Sequence, residues 1–122
     1  MSQVLIAIVD DEEPVRNATK SLVRSLGYHA STFASADDFL ESEQVHDTSC
    51  LITDVQMPGL SGIDLQDHLV ARGHCIPTIF ITGYPEDGVR ARAMKAGAVC
   101  FLSKPFKEDH LIVGIEKALK AA

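Results

Sequence analysis

Five polar side chains in this 122-residue sequence stand where apolar runs break off, and their types belong together. The run "VLIAIVDDEEP" (residues 4–14) ends on Asp10 and Asp11, and "CLITDVQMPGLSG" (50–62) ends its apolar part on Asp54. "IPTIFITG" (76–83) ends on Thr82, and "VCFLSKPF" (99–106) leads to Lys104. Taken singly, each has an ordinary explanation. Carboxylates are favoured in the first turn of a helix by its dipole, an aspartate at a strand end commonly starts a turn, and most lysines are simply solvated. Those explanations weaken if the strand ends converge. Three carboxylates close together raise one another's pKa, and a bound cation relieves the repulsion. An all-oxygen donor set without His or Cys suits Mg²⁺, usually held by one or two carboxylates with water and phosphate, with Mn²⁺ as an alternative ion. A hydroxyl and an ammonium on the same edge would then hold phosphoryl oxygens.

Convergence requires a particular scaffold, and the rest of the chain supplies its pattern. Apolar runs at 4–9, 29–33, 50–53, 76–82 and 99–103 alternate with five helical patterns. The first, third and fourth runs are nearly continuous hydrophobics, which suits parallel strands buried on both faces. The first helix carries Val15, Ala18, Leu22, Val23 and Leu26, with Pro14 in its first turn and Gly27 at its end. Ser35 and Asp38 fit a capping box for the second. The third is expected over 63–72, stopping at Gly73, and the fourth over 85–96, stopping at Gly97; the fifth carries Leu111, Ile112, Ile115 and Leu119. Five strands alternating with five helices predict one α/β domain over 1–122, a flavodoxin-like, doubly wound (βα)5 sandwich with parallel sheet order 2-1-3-4-5. Its switch point lies between strands 1 and 3, at the carboxyl ends where ligands bind, which is the edge carrying Asp10, Asp11 and Asp54.

Bulk properties narrow the function. A composition 46% apolar and 23% charged is that of a globular protein, and a net charge of −6 with scattered basic residues argues against a nucleic-acid surface. No apolar stretch has the length of a membrane span and no signal peptide is visible, so the expected location is the cytoplasm, without membrane association. Three cysteines without a CxxC pair read as reduced thiols. The five histidines have no companions at metal-ligand spacing and read as surface residues. The sequence leaves the isomer of the Lys104–Pro105 bond open.

"VDDEEPVR", "DVQMPGLSG", "FITG" and "GAVCFLSKPF", in this order, resemble the receiver domain of two-component response regulators, over essentially the whole chain. The tract from "ITGYPEDG" to "FLSKPF" is most similar to the FixJ branch of transcription factors. The resemblance implies that Asp54 accepts a phosphoryl group from a sensor histidine kinase. It implies that Asp11 binds Mg²⁺ directly, that Asp10 assists it, and that Gln56 lends the metal its backbone carbonyl. Thr82 and Lys104 would hold the phosphoryl oxygens, and Phe101 would be an aromatic switch. Gln56 and Tyr84 would tune the lifetime of the acyl phosphate, which undergoes slow self-dephosphorylation. The output would be a change in the face formed by helix 4, strand 5 and helix 5. Helix 4, the least amphipathic, and strand 5 would then form a phosphorylation-dependent homodimer.

Two other functions fit parts of the pattern. A phosphohydrolase working through an aspartyl phosphate of the haloacid-dehalogenase kind would carry a second Asp where Gln56 stands, and would show sustained turnover of a small phosphoester. An interaction module that works without phosphorylation would keep its partner affinity in Asp54→Ala.

Overall fold

The computed structural model describes residues 4–83 and 87–121. Five parallel strands form one sheet: β1 (Leu5–Val9), β2 (His29–Phe33), β3 (Cys50–Asp54), β4 (Thr78–Thr82) and β5 (Cys100–Ser103), in the expected order β2-β1-β3-β4-β5. The helices are α1 (Glu13–Ser25), α2 (Ala36–Leu40), α3 (Gly62–Ala71), α4 (Asp87–Lys95) and α5 (Glu108–Ala121). β3 and β4 are buried throughout, as continuous apolar runs require, whereas β2 and β5 at the edges are partly exposed.

Strand alternation divides the core between the two faces. Ile6, Ile8, Ile52, Ile79 and Ile81 point to the side of α1 and α5, where they meet Val23, Leu111 and Ile115. Ala7, Val9 and Leu51 point to the other side, against Phe39 of α2 and Leu65 and Leu69 of α3. Each of these large side chains contributes about 1.5–3 kcal/mol by burial. A smaller third cluster, Val55, Ile63, Phe80 and Ala93, sits under α4, with Phe101 packed at its border. Cys50 is fully buried, and desolvation pushes its thiol up to about 12, so it is an unreactive core group.

Local chemistry sets the boundaries. β4 starts at Thr78, two residues later than its apolar run, after Pro77, which has no N–H for the ladder; the Pro77 carbonyl still accepts from Leu51 N–H at 2.9 Å. Ser35 caps α2 by accepting from Asp38 N–H at 3.1 Å, the first half of the expected box. The complete capping box belongs to α3, where the Ser61 hydroxyl accepts from Asp64 N–H and the Asp64 carboxylate accepts from Ser61 N–H. A 3-10 turn over Glu43–Asp47, absent from the periodicity, buries only Val45. The expected start of helix 4 at Pro85 lies outside the described residues.

The histidines lie at the surface as expected, four exposed and His74 half-buried, yet two of them meet. Gly73 takes a left-handed φ of 83° and turns the chain so that His74 N–H reaches the Leu69 carbonyl at 2.9 Å. This sets His74 edge-on to His46 of the 3-10 turn, with ring centroids 5.0 Å apart. Two residues that look solitary in sequence are therefore neighbours.

Candidate functional site

Register brings the acids together. Val9 pairs with Thr53, so the next residues, Asp10 and Asp54, leave adjacent strand ends side by side. Both are buried, at 3% and 4% exposure. Lys104 follows β5, whose Ser103 pairs with Thr82, and its N–H donates to the Thr82 carbonyl at 2.7 Å. The Lys104–Pro105 peptide bond is cis. Lys104 Nζ lies 3.0 Å from Asp54 Oδ2, 3.2 Å from Asp10 Oδ2 and 2.5 Å from Glu12 Oε1.

Thr82 is fully buried at the end of β4, and its hydroxyl donates to Gln56 Oε1 at 3.1 Å. Phe101 is half-buried on β5, opposite Phe80 and beside the α4 cluster. Tyr84 lies outside the described residues.

The backbone around Asp54 is tightly fixed. Its Oδ1 accepts from Gln56 N–H at 3.1 Å, and Val55 N–H donates to the Ile81 carbonyl at 2.9 Å. The loop then returns so closely that a Cβ on Gly62 would stand 2.3 Å from the Asp54 carbonyl oxygen. Only glycine fits there, for steric reasons.

Asp11 is placed differently from the expectation that all three aspartates meet. It is exposed, and among the described residues the carboxylate grouping is Asp10, Glu12 and Asp54, whose oxygens lie within 4.8 Å of one another. Glu12 enters because the chain turns after β1: Glu12 N–H donates to Asp10 Oδ1 at 2.8 Å, and Arg16 Nη1 binds the Asp10 carbonyl at 2.8 Å. Neither Glu12 nor Arg16 is singled out by the sequence, although "DDEE" contained the signal for Glu12.

Electrostatics match the geometry. Desolvation raises the pKa of Asp10 and of Asp54, and the Lys104 charge opposes that rise in both. For Lys104, burial favours the neutral amine, but its bonds to Glu12 and Asp54 and the charges of Asp54 and Asp10 outweigh this and hold the ammonium protonated. The result is a buried carboxylate facing a fixed cation, with a hydroxyl on the neighbouring strand end. Such a set can present an oxygen nucleophile and bind a transferred anionic group.

Comparison with known proteins identifies the family. The family model described as the response regulator receiver domain matches residues 6–116. The chain is 45% identical over 118 residues to the response regulator protein TmoT of Ectopseudomonas mendocina, covering 97% of this chain and 54% of that protein. It is 36% identical over 117 residues to the transcriptional regulatory protein FixJ of Bradyrhizobium diazoefficiens, covering 96% of this chain and 57% of the relative. The chain thus spans about half the length of the curated relatives it matches. The crystal structure of FixJ-N superposes with a TM-score of 0.88 at 37% identity, covering 100% of this chain and 98% of the other. The response regulator StyR gives 0.90 at 42% identity, covering 98% of this chain and 60% of the other. Fold, site and relatives place the chain in the response regulator receiver domain family, as a FixJ-like member.

Proposed function

We propose that the chain accepts a phosphoryl group on Asp54 from a phosphohistidine of a sensor kinase, and passes the event to the face of α4, β5 and α5. The observation that carries this reading is the 3.0 Å approach of Lys104 Nζ to the buried Asp54 Oδ2, with Thr82 on the adjoining strand. The Asp54 oxygen attacks phosphorus as the P–N bond to the kinase imidazole breaks. Lys104 stays with the phosphoryl oxygens, and the Thr82 hydroxyl turns to donate to one of them. Movement of Thr82 opens space for Phe101, which borders the α4 cluster.

The acidic set fits Mg²⁺. Its donors are all hard oxygens, and Asp10 and Asp54 are buried with raised pKa values, so a cation relieves them. Asp10, Asp11, Asp54 and the Gln56 carbonyl would hold the ion, Asp11 by turning in from its exposed position. When bound, Mg²⁺ supplies neutralisation of the charge that develops in transfer. Gln56, at the rim, and Tyr84 would govern the path of the hydrolytic water, making this a self-limiting signalling module rather than a turnover enzyme.

A kinase can approach over an apolar groove of about 680 Å³ beside Lys104, lined among others by Val15, Leu22, Pro105 and Phe106. No described helix is long and apolar enough to cross a membrane. Output is proposed to be phosphorylation-dependent pairing through α4 and β5, where Ala91 and Met94 are exposed, with no nucleic-acid binding by this domain itself.

The test is incubation with acetyl phosphate and Mg²⁺ followed by intact-mass measurement. One acid-labile phosphoryl group should appear, and Asp54→Asn should abolish it. Full labelling of the variant would overturn the assignment, as would sustained turnover of a small phosphoester.

A further inference from the structure

The two buried aspartates are followed by the same device. Two residues after Asp10, Glu12 N–H donates to Asp10 Oδ1, and Glu12 Oε1 accepts from Lys104 Nζ. Two residues after Asp54, Gln56 N–H donates to Asp54 Oδ1, and Gln56 Oε1 accepts from Thr82 Oγ1. In each case a local turn, closed on the aspartate, sends a side-chain oxygen to a functional group at another strand end. Those two groups, Lys104 and Thr82, are the ones expected to bind phosphoryl oxygens.

We propose that Glu12 and Gln56 are positioning residues that hold Lys104 and Thr82 in the resting protein by presenting oxygens in place of those of a phosphoryl group. This rests on the phosphoacceptor reading above. An ammonium has three N–H donors, and Lys104 has three carboxylates around it, from Asp10, Glu12 and Asp54. An incoming phosphoryl oxygen must displace one of them. Asp10 and Asp54 are buried, whereas the Glu12 side chain is 57% exposed, so Glu12 returns to water most easily. Gln56 is likewise exposed, while its partner Thr82 is buried. Exposed side chains that grip buried functional groups contribute little to folding. They do subtract from the gain on phosphorylation, because a ligand shifts an equilibrium only by the difference between its contacts in the two states. The two residues therefore set how far the unmodified protein lies from its switched form.

Beryllofluoride, a phosphoryl mimic that needs no turnover, is the probe, titrated at saturating Mg²⁺ into the native protein and variants. Glu12→Gln and Gln56→Met should each tighten its binding about fivefold (~1 kcal/mol), and the double variant should approach the product of the two. Glu13→Gln removes a charge next to Glu12 and is the electrostatic control; it should change affinity less than twofold. NMR without the mimic separates positioning from folding. Gln56→Met should move the Thr82 methyl resonance toward its mimic-bound position and leave the Lys104 ammonium unmoved, while Glu12→Gln does the reverse. Affinities within twofold of native with both resonances unmoved would overturn the proposal, as would equal tightening by Glu13→Gln, with Asp54 labelling intact in either case. A native protein that takes no label on Asp54 would remove the phosphoacceptor reading and this inference with it.

Discussion

Lys104 Nζ and Asp54 Oδ2 stand 3.0 Å apart across the mouth of the sheet, though fifty residues separate them in the chain. Their removal should have opposite effects on stability. Burial raises the Asp54 pKa, so its charged form is disfavoured by the fold. Without metal, Asp54→Asn should gain about 1 kcal/mol, a rise of roughly 4 °C in Tm. Lys104→Met leaves buried Asp10 and Asp54 without their shared counter-charge and should lose about 3 kcal/mol in urea unfolding. The pH dependence follows the same sign. A carboxyl whose folded pKa is raised above the ordinary 3.8 gives stability that is present below that value and lost as pH rises through the raised one. The native urea midpoint should therefore fall more steeply than that of Asp54→Asn as pH rises from about 4. Equal slopes would show that Asp54 carries no such penalty.

Gly62 is held by contact rather than by backbone conformation. An added methyl would meet the Asp54 carbonyl oxygen at 2.3 Å and its carbon at 3.1 Å, and backbone cannot step aside as a flexible side chain can. Gly62→Ala should lose about 1–3 kcal/mol by overpacking. Because the displaced atoms belong to Asp54, its labelling by acetyl phosphate should also slow by more than tenfold at temperatures where the variant remains folded. A variant that is less stable but labels at the native rate would separate the loop from the site.

Mg²⁺ should raise the melting temperature of the native protein by mass action, and EDTA should reverse the rise. Asp11→Ala should remove most of that gain while leaving metal-free stability within about 0.5 kcal/mol, since the side chain is exposed and outside the carboxylate grouping. A full Mg²⁺ response in Asp11→Ala would transfer the ligand role to Glu12, the third member of that grouping.

Sedimentation should show association on phosphorylation. A charge at exposed Ala91, as in Ala91→Glu, should weaken the dimer by at least fivefold without affecting labelling. Monomers in both states at high concentration would assign the face to a different partner.

Much of this was legible because the informative residues sit at strand ends. β1, β3 and β4 announce themselves as apolar runs, and where each run stops marks a candidate site position: Asp10, Asp54 and Thr82. Asp11 and Glu12 were harder. Which of four consecutive acids turns inward depends on the bond from Glu12 N–H to Asp10 Oδ1, a local choice that composition does not encode. The 3-10 turn was silent because one buried valine in five residues makes no period. The meeting of His46 with His74 depends on that turn and on the left-handed Gly73, and so escaped with it.

Ala93 is the one buried residue among the described side chains of α4, and its small cluster is distinct from the two large ones that support the sheet. This has a consequence for how such a molecule diversifies. Substitutions on the outside of α4 draw little on the stability reserve of the domain, each within about 0.5 kcal/mol. The proposed phosphoacceptor site sits at the opposite extreme, enclosed by a fixed sheet edge and by Gly62, where an added methyl would meet the Asp54 carbonyl oxygen. A duplicated copy can therefore vary the surface of one short helix by drift while the candidate site at the sheet edge is inherited unchanged.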